Sequence, residues 1–242
     1  MTEPTILMPN DIAGGRNNAD LKEAAKRLKK QQTYRDLSTV IIVPTRGGPC
    51  LTPRWVNHMN GLMKPMNNRV AGPIFVSGME VGSAYNWAIE WILKNLPDYK
   101  YMLTWEDDVL PPPDGLLKLY EGIDDFDAVG ALYWTKGEFG QPMIYGDPND
   151  PVLNFRPQMP QPNCLQRTYG LGMGFNLFRM SMFKKVEGPW FVTEQRWDPN
   201  VGVRSYTQDL HFYEKAGRMG FKFACDTRVR AAHLDVQTDT AW

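Results

Sequence analysis

Tyr99-Lys100-Tyr101-Met102-Leu103-Thr104-Trp105 runs directly into Glu106-Asp107-Asp108, and two residues later the chain meets Pro111-Pro112-Pro113. The first part has the apolar and aromatic character of a strand. Three carboxylates in a row at its end repel one another and raise each other's pKa, so the arrangement is costly unless a positive charge arrives. Hard divalent cations such as Mg²⁺ and Mn²⁺ take carboxylate oxygens and also bridge phosphates. The carboxyl ends of strands in an open α/β sheet are where ligands bind. The competing reading is that these acids cap the helix after the prolines, or stand in solvent as an ordinary acidic loop.

Working outward, Thr39-Val40-Ile41-Ile42-Val43-Pro44 is a short β-branched run suited to a strand buried on both faces, as in a parallel sheet. Residues 45–49 form the following turn. Thr52 is placed to cap a helix with Pro53 at its first position, ending near Met63. Residues 70–77 read as a second strand. Residues 83–96 read as a helix with Ala84, Trp87, Ala88, Trp91 and Ile92 on one side. Beyond the prolines, Asp114 can cap a helix through Leu119, and residues 127–134 read as a fourth strand. Residues 138–167, rich in Pro, Gly and Asn, read as a long loop of the kind that is functional or mobile. Residues 170–178 are apolar and laced with glycine, 181–186 read as a short helix, and Pro189-Trp190-Phe191 as a packed corner. An amphipathic helix is expected over 207–217, with strands over 221–225 and 229–233. Strands alternating with helices predict an α/β sheet sandwich.

The chain has 242 residues, enough for one α/β domain with a sizeable core. Lys+Arg and Asp+Glu are both 27, so no net charge draws the protein to nucleic acid or anionic membrane. Residues 1–18 are polar and turn-rich, and 20–32 form a basic amphipathic helix. The expected organisation is therefore an arm and basic helix over 1–36 and one main domain over 37–242. Cys50, Cys164 and Cys225 are far apart and form no CxxC pair, which speaks against a zinc knuckle and for a reducing compartment. No leader-like segment and no apolar run long enough to span a bilayer is visible, so a cytoplasmic location is expected.

Several segments come in one order: 39–46, Ser83-Ala84-Tyr85-Asn86-Trp87-Ala88, the 105–111 stretch, Gly172-Met173-Gly174-Phe175-Asn176-Leu177, Pro189-Trp190-Phe191, Gln208-Asp209-Leu210, and His233. Taken together, across about 39–234, they resemble the GT-A glycosyltransferases, especially the large inverting, family-2-like group that uses nucleotide-diphosphate sugars. The resemblance implies a GT-A (Rossmann-like) three-layer α/β/α sandwich with a mostly parallel central sheet. It implies that Pro44, Thr45 and Arg46 hold the nucleotide base and ribose, and that the Asn86 helix faces the donor. Glu106-Asp107-Asp108 stands where the family has DxD, with Glu in the first place. Asp108 would be the main metal ligand, Asp107 would bind ribose or sugar, and Glu106 is long enough to reach ribose hydroxyls. Gly172 and Gly174 resemble the floor under the transferred sugar.

Gln208-Asp209 stands where the family usually has Glu-Asp, which makes Asp209 the general base; as a residue at a helix N-terminus it also fits a cap or charge complement. His233 occupies the position of a histidine that completes the metal shell, although a lone His is more often structural. Trp190 and Trp197 flank the acceptor side, where aromatic faces suit sugar rings or nucleobases, or they are ordinary core. Arg204 and Tyr206 are placed to meet the donor phosphates or the acceptor. His58 and His211, on helices, read as non-catalytic.

The implied activity is transfer of a sugar from a UDP- or GDP-sugar to an acceptor hydroxyl with inversion, using Mn²⁺ or Mg²⁺. The acceptor is open among glycan, lipid carrier, protein and modified nucleic acid. Two rivals remain: a nucleotidyltransferase acting on a sugar phosphate, for which Arg46 and Gly47-Gly48 are a faint echo, and a non-catalytic nucleotide-sugar-binding module.

Overall fold

The computed structural model describes residues 35–45, 51–66, 68–150, 152–200 and 202–242. The arm, the basic helix, Arg46, Gly47-Gly48 and Cys50 lie outside the described residues. The chain divides into Met1–Asp36 and Leu37–Trp242, and the elements below belong to the second.

Strand β1 (Thr39–Thr45) is buried along nearly its whole length. Its side chains alternate between two cores, as the period of a strand requires. Val40 and Ile42 face one apolar cluster, Ile41 and Val43 the other. It pairs in parallel with β2 (Val70–Ser77) and with β3 (Tyr101–Trp105). Next to β3 lies β9 (Phe175–Arg179), antiparallel to β3 and also to β5 (Ala128–Leu132). Then come β12 (Phe223–Arg230), parallel to β5, and β7 (Leu165–Thr168), antiparallel to β12. The seven-stranded order is β2-β1-β3-β9-β5-β12-β7, and five strands share one direction. The mostly parallel central sheet expected from the sequence is what the chain forms.

Among the described residues, five helices cover the two faces. One face carries α2 (Val81–Asn95), the short α4 (Met180–Phe183) and α5 (Gln208–Arg218). The other carries α1 (Pro53–Gly61) and α3 (Gly115–Gly122), which bring Trp55, Leu116 and Leu119 into the second cluster. The three-layer sandwich follows. Helix α1 starts as its sequence predicts, with the Thr52 hydroxyl accepting from Trp55 N and Pro53 at the first position. Asp114 does stand at the start of α3 but makes no side-chain cap; it pairs with Lys118 one turn on, at 2.8 Å.

Three readings of the sequence need correction. In α2 the buried stripe is Ala84, Tyr85, Ala88, Ile89 and Ile92, with Trp91 partly buried against the same core, and it does not include Trp87. At about 100° per residue, Trp87 is turned roughly 200° from Tyr85. It is 44% exposed and stacks on Trp91 with centroids 6.4 Å apart. The expected loop at 138–167 contains β6 (Ile144–Tyr145) and the start of β7. The strands expected at 221–225 and 229–233 are divided differently: β12 runs through to Arg230, and β13 (Ala232–Asp235) turns away to pair with β4 (Val109–Leu110) and β14 (Thr240–Ala241). The apolar, glycine-laced stretch at 170–178 holds β8 (Gly170–Leu171) before β9, and the hairpin of β10 (Glu194–Asp198) with β11 (Gly202–Tyr206) had no apolar run to announce it.

Gly130 on β5 is fixed by its neighbour rather than by its own backbone. Any Cβ there would strike the side-chain oxygen of Asn176, which crosses from β9 and is fully buried. Asn176 in turn donates to Gly172 O at 2.6 Å. A polar side chain thereby ties the antiparallel strand to the glycine-rich segment that precedes it.

Candidate active site

At the end of β3 the acidic triplet is held by its own backbone. Glu106 N donates to Gly174 O at 2.9 Å, Val109 N returns to Glu106 O at 3.1 Å, and Leu234 N donates to Asp108 O at 2.7 Å. The indole of Trp55 adds a bond to Glu106 O at 3.0 Å, and that of Trp105 donates to Val109 O at 2.8 Å. The turn is anchored from β4, β13 and α1 together, so three repelling carboxylates keep fixed positions.

The side chains diverge. Part of Glu106 faces a cleft, but its carboxylate sits amid protein and accepts from the Tyr85 hydroxyl at 3.3 Å. Burial pushes it up to about 8, followed by the charges of Asp108 and Asp209; the Tyr85 bond offsets part of this. Asp108 goes the other way. Burial alone would raise it, but hydrogen bonds from His233 and Lys136 hold it below the ordinary aspartate value. The Lys136 ammonium is 2.6 Å from Asp108 Oδ2, and His233 Nε2 is 3.4 Å from the same oxygen.

The cleft has a volume of ≈ 440 Å³. Pro44 and Thr45 from the end of β1 form one wall, the triplet a second, and Met79, Glu80 and Val81 at the start of α2 a third; Gln208 closes it. The structure thus brings Pro44, Thr45, Glu106, Asp107, Asp108 and Gln208 into one cavity. His233 joins it through Asp108. Its Nδ1 lies 2.8 Å from Trp134 O. A carbonyl can only accept, so Nδ1 carries a proton, and Nε2 is the nitrogen turned toward the carboxylate. An imidazole nitrogen beside a carboxylate oxygen is a donor pair that a hard-to-borderline metal ion can use in place of the proton. Among the described residues no group of three metal-ligating side chains converges; Asp108 and His233 are two that stand together.

Asp209 is in the first turn of α5 and only 7% exposed. Burial raises its pKa, and bonds from the Thr207 side chain and Leu210 N, the latter at 2.9 Å, draw it partly back. Its neighbour Gln208 lines the cleft, whereas Asp209 itself is not among the lining residues; its charge raises Glu106.

Other expected site residues lie elsewhere. Asn86 is engaged with the chain itself: its Nδ2 donates to Phe191 O at 2.7 Å and its Oδ1 accepts from Trp190 N and Phe191 N at 2.9 and 3.0 Å. The donor contact expected of it is replaced by a clamp on the 190–191 corner. Asn86→Ala is expected to cost about 2–4 kcal/mol, because three backbone groups lose their partner in a half-buried setting. Urea unfolding with an unchanged m-value measures this, and a loss below about 0.5 kcal/mol contradicts the clamp. Trp190 is 6% exposed, bonds Val186 O at 2.7 Å and packs on Phe183, so no ring face is open to an acceptor. Gly172 and Gly174 are buried, not at a cavity floor. Their missing side chains admit the Tyr133 phenol, whose oxygen accepts from Gly174 N at 2.9 Å.

Trp197 is 75% exposed on β10, opposite Val203. Arg204 and Tyr206 fall on β11, with Tyr206 edge-on to Phe155. His58 holds Pro111 O at 2.8 Å, and His211 lies by Trp190 O and Glu194.

Lys136, Glu80, Tyr85 and Tyr133 were not expected from the sequence. Lys136 follows the end of β5 as the triplet follows β3, so the rule that ligand sites gather at strand ends would have flagged it. Glu80 announces itself only as a helix cap, accepting from Ser83 N at 2.9 Å.

No protein-family model and no curated protein sequence matches the chain. Solved structures do. A197 from STIV is similar at a TM-score of 0.57 and 16% identity, over 81% of this chain and 85% of that one. GalNAc-T7 with UDP, GalNAc and Mn²⁺ aligns at a TM-score of 0.49 and 11% identity, over 95% of this chain and 56% of that one. With its layers and its strand order, the chain has a GT-A-like α/β fold.

Proposed function

We propose that the chain is a glycosyltransferase that moves a sugar from a nucleotide-diphosphate donor to an acceptor hydroxyl, with inversion and with a divalent cation. The observation that carries this is the placement of Asp107 and Asp108 at the carboxyl end of β3, in one cleft with the end of β1, with His233 and Lys136 both turned to one oxygen of Asp108. A nucleoside diphosphate is the kind of ligand that such a charged strand-end site accommodates.

In this reading Pro44 and Thr45 flank the base and ribose, and Asp107 and Glu106 bind ribose or sugar hydroxyls. Asp108 and His233 would hold Mn²⁺ or Mg²⁺, which would supply positive charge against the leaving diphosphate. Asp209 takes the proton from the acceptor hydroxyl as its oxygen attacks the anomeric carbon and the bond to the diphosphate breaks. Burial of Asp209 strengthens it as a base. Gln208 and exposed Trp197 are assigned to the acceptor side, where a glycan, lipid carrier, protein or modified nucleic acid would approach. No helix among the described residues is long and apolar enough to cross a membrane. Cys164 and Cys225 are free thiols, which accords with a cytoplasmic setting.

A thermal-shift panel of UDP- and GDP-sugars with and without Mn²⁺ tests the reading. The midpoint is expected to rise only when nucleotide and metal are both present, by about 2.7 kcal/mol of stabilisation at a hundredfold excess over Kd. Product analysis should then find free nucleoside diphosphate. Release of pyrophosphate would instead identify a nucleotidyltransferase, and binding without turnover a non-catalytic module.

A further inference from the structure

We propose that Lys136 is an exchangeable counter-ion: in the free protein it occupies Asp108, and when a nucleoside diphosphate enters it moves to the phosphates and releases Asp108 to the metal ion. The proposal rests on the glycosyltransferase reading of the cleft.

Three observations lead to it. The ammonium of Lys136 and the imidazole of His233 converge on the same atom, Asp108 Oδ2, at 2.6 and 3.4 Å. A metal ion held between Asp108 and His233 would compete for that oxygen, and an ammonium already bonded to it repels a divalent cation. The main chain beside Lys136 is held by its neighbours, while its side chain is long and partly exposed. Thr135 N donates to Gln141 O at 2.9 Å and Gln141 N to Thr135 Oγ1 at 2.8 Å, while Trp134 bridges Pro142. The Lys136 side chain is 35% exposed, so the ammonium rides on a flexible four-carbon stem above a rigid base. Finally, one short segment does two tasks: Trp134 O sets the tautomer of His233, and Lys136, two residues on, takes the carboxylate. The turn thereby presents both a metal ligand and the charge that competes with the metal.

Diphosphate oxygens offer the ammonium a stronger partner than one carboxylate oxygen. Transfer of Lys136 to them unblocks Asp108, so nucleotide and metal load together. By linkage the effect is reciprocal: each ligand tightens the other by the same factor.

Mn²⁺ binding followed by electron paramagnetic resonance, on the full chain with and without UDP or GDP, tests this without any turnover. Lys136→Met is expected to bind Mn²⁺ alone about tenfold more tightly than the unaltered protein. Its nucleoside diphosphate affinity in Mn²⁺ should fall about tenfold, as befits one lost charge-assisted bond. Lys136→Arg, which keeps the charge, should retain the coupling between the two ligands. Equal Mn²⁺ affinity in the Met variant and the unaltered protein, or undiminished coupling in the Met variant, overturns the exchange and leaves the reading of the cleft intact. Failure of the unaltered protein to take up Mn²⁺ with either nucleotide overturns the cleft reading itself, and this proposal with it.

Discussion

Asp108→Asn is expected to lower sugar transfer by roughly a thousandfold, the scale of removing one preorganised group that stabilises charge in a transition state. Asn has nearly the same shape, and the bond from Leu234 N goes to the backbone carbonyl of residue 108, so the turn stays in place. What disappears is the negative oxygen shared by His233 and Lys136. The Mn²⁺-dependent part of the thermal shift should vanish with activity, while the fold is kept. The variant should also respond differently to acid. Asp108 is held below the ordinary aspartate value in the folded protein, so it stabilises the fold above the unfolded pKa, and this is lost as pH falls through the folded one. Asn at 108 removes that share of the acid-induced loss. Turnover within a few-fold of the unaltered protein would rule out a donor site built on Asp108.

Asp209→Asn is expected to lower transfer by about 10²- to 10⁴-fold while nucleotide and Mn²⁺ still bind, because only proton removal from the acceptor is lost. Activity of the unaltered protein should fall on the acid side with a midpoint above the ordinary aspartate value, since burial raises Asp209 and the carboxylate is the active form. The Asn variant should lack that limb. Stability carries the opposite sign. A carboxyl whose folded pKa is raised favours the fold most below its unfolded pKa, and that contribution is lost as pH rises through the folded value. At neutral pH Asp209→Asn is therefore expected to be at least as heat-stable as the unaltered protein. A variant that is destabilised at pH 7 and still active would show Asp209 to be a structural carboxylate.

The sequence made the central strands readable because burial on both faces leaves an unbroken apolar run, as in Thr39 to Val43, and because a run that ends in three acids has few physical explanations. The family resemblance put Pro44, Thr45, the triplet and Gln208 at one site, and these residues line one cleft. Spacing alone did not reveal which side of α2 turns inward. Trp87 looked like core and is half out in solvent, while Asn86 looked like a ligand contact and clamps Trp190 and Phe191. Bulk and aromaticity say nothing about whether a ring face is open, so Trp190 and Trp197, alike on paper, ended in opposite settings. Lys136 carried no local pattern at all. Its importance comes from a contact across 28 positions of chain, which only the folded sheet creates.

The antiparallel strand β9 separates β3 from β5 although it follows both in the chain. During synthesis the flank made of β2, β1 and β3 can assemble early, yet the inner edge of β3 stays without its partner until Phe175–Arg179 has left the ribosome. For some seventy residues of translation, an apolar strand edge is open to wrong partners, a hazard for aggregation. The centre of the finished sheet is therefore among its last parts to close. A chain halted before Phe175 would lack the strand that joins its two halves.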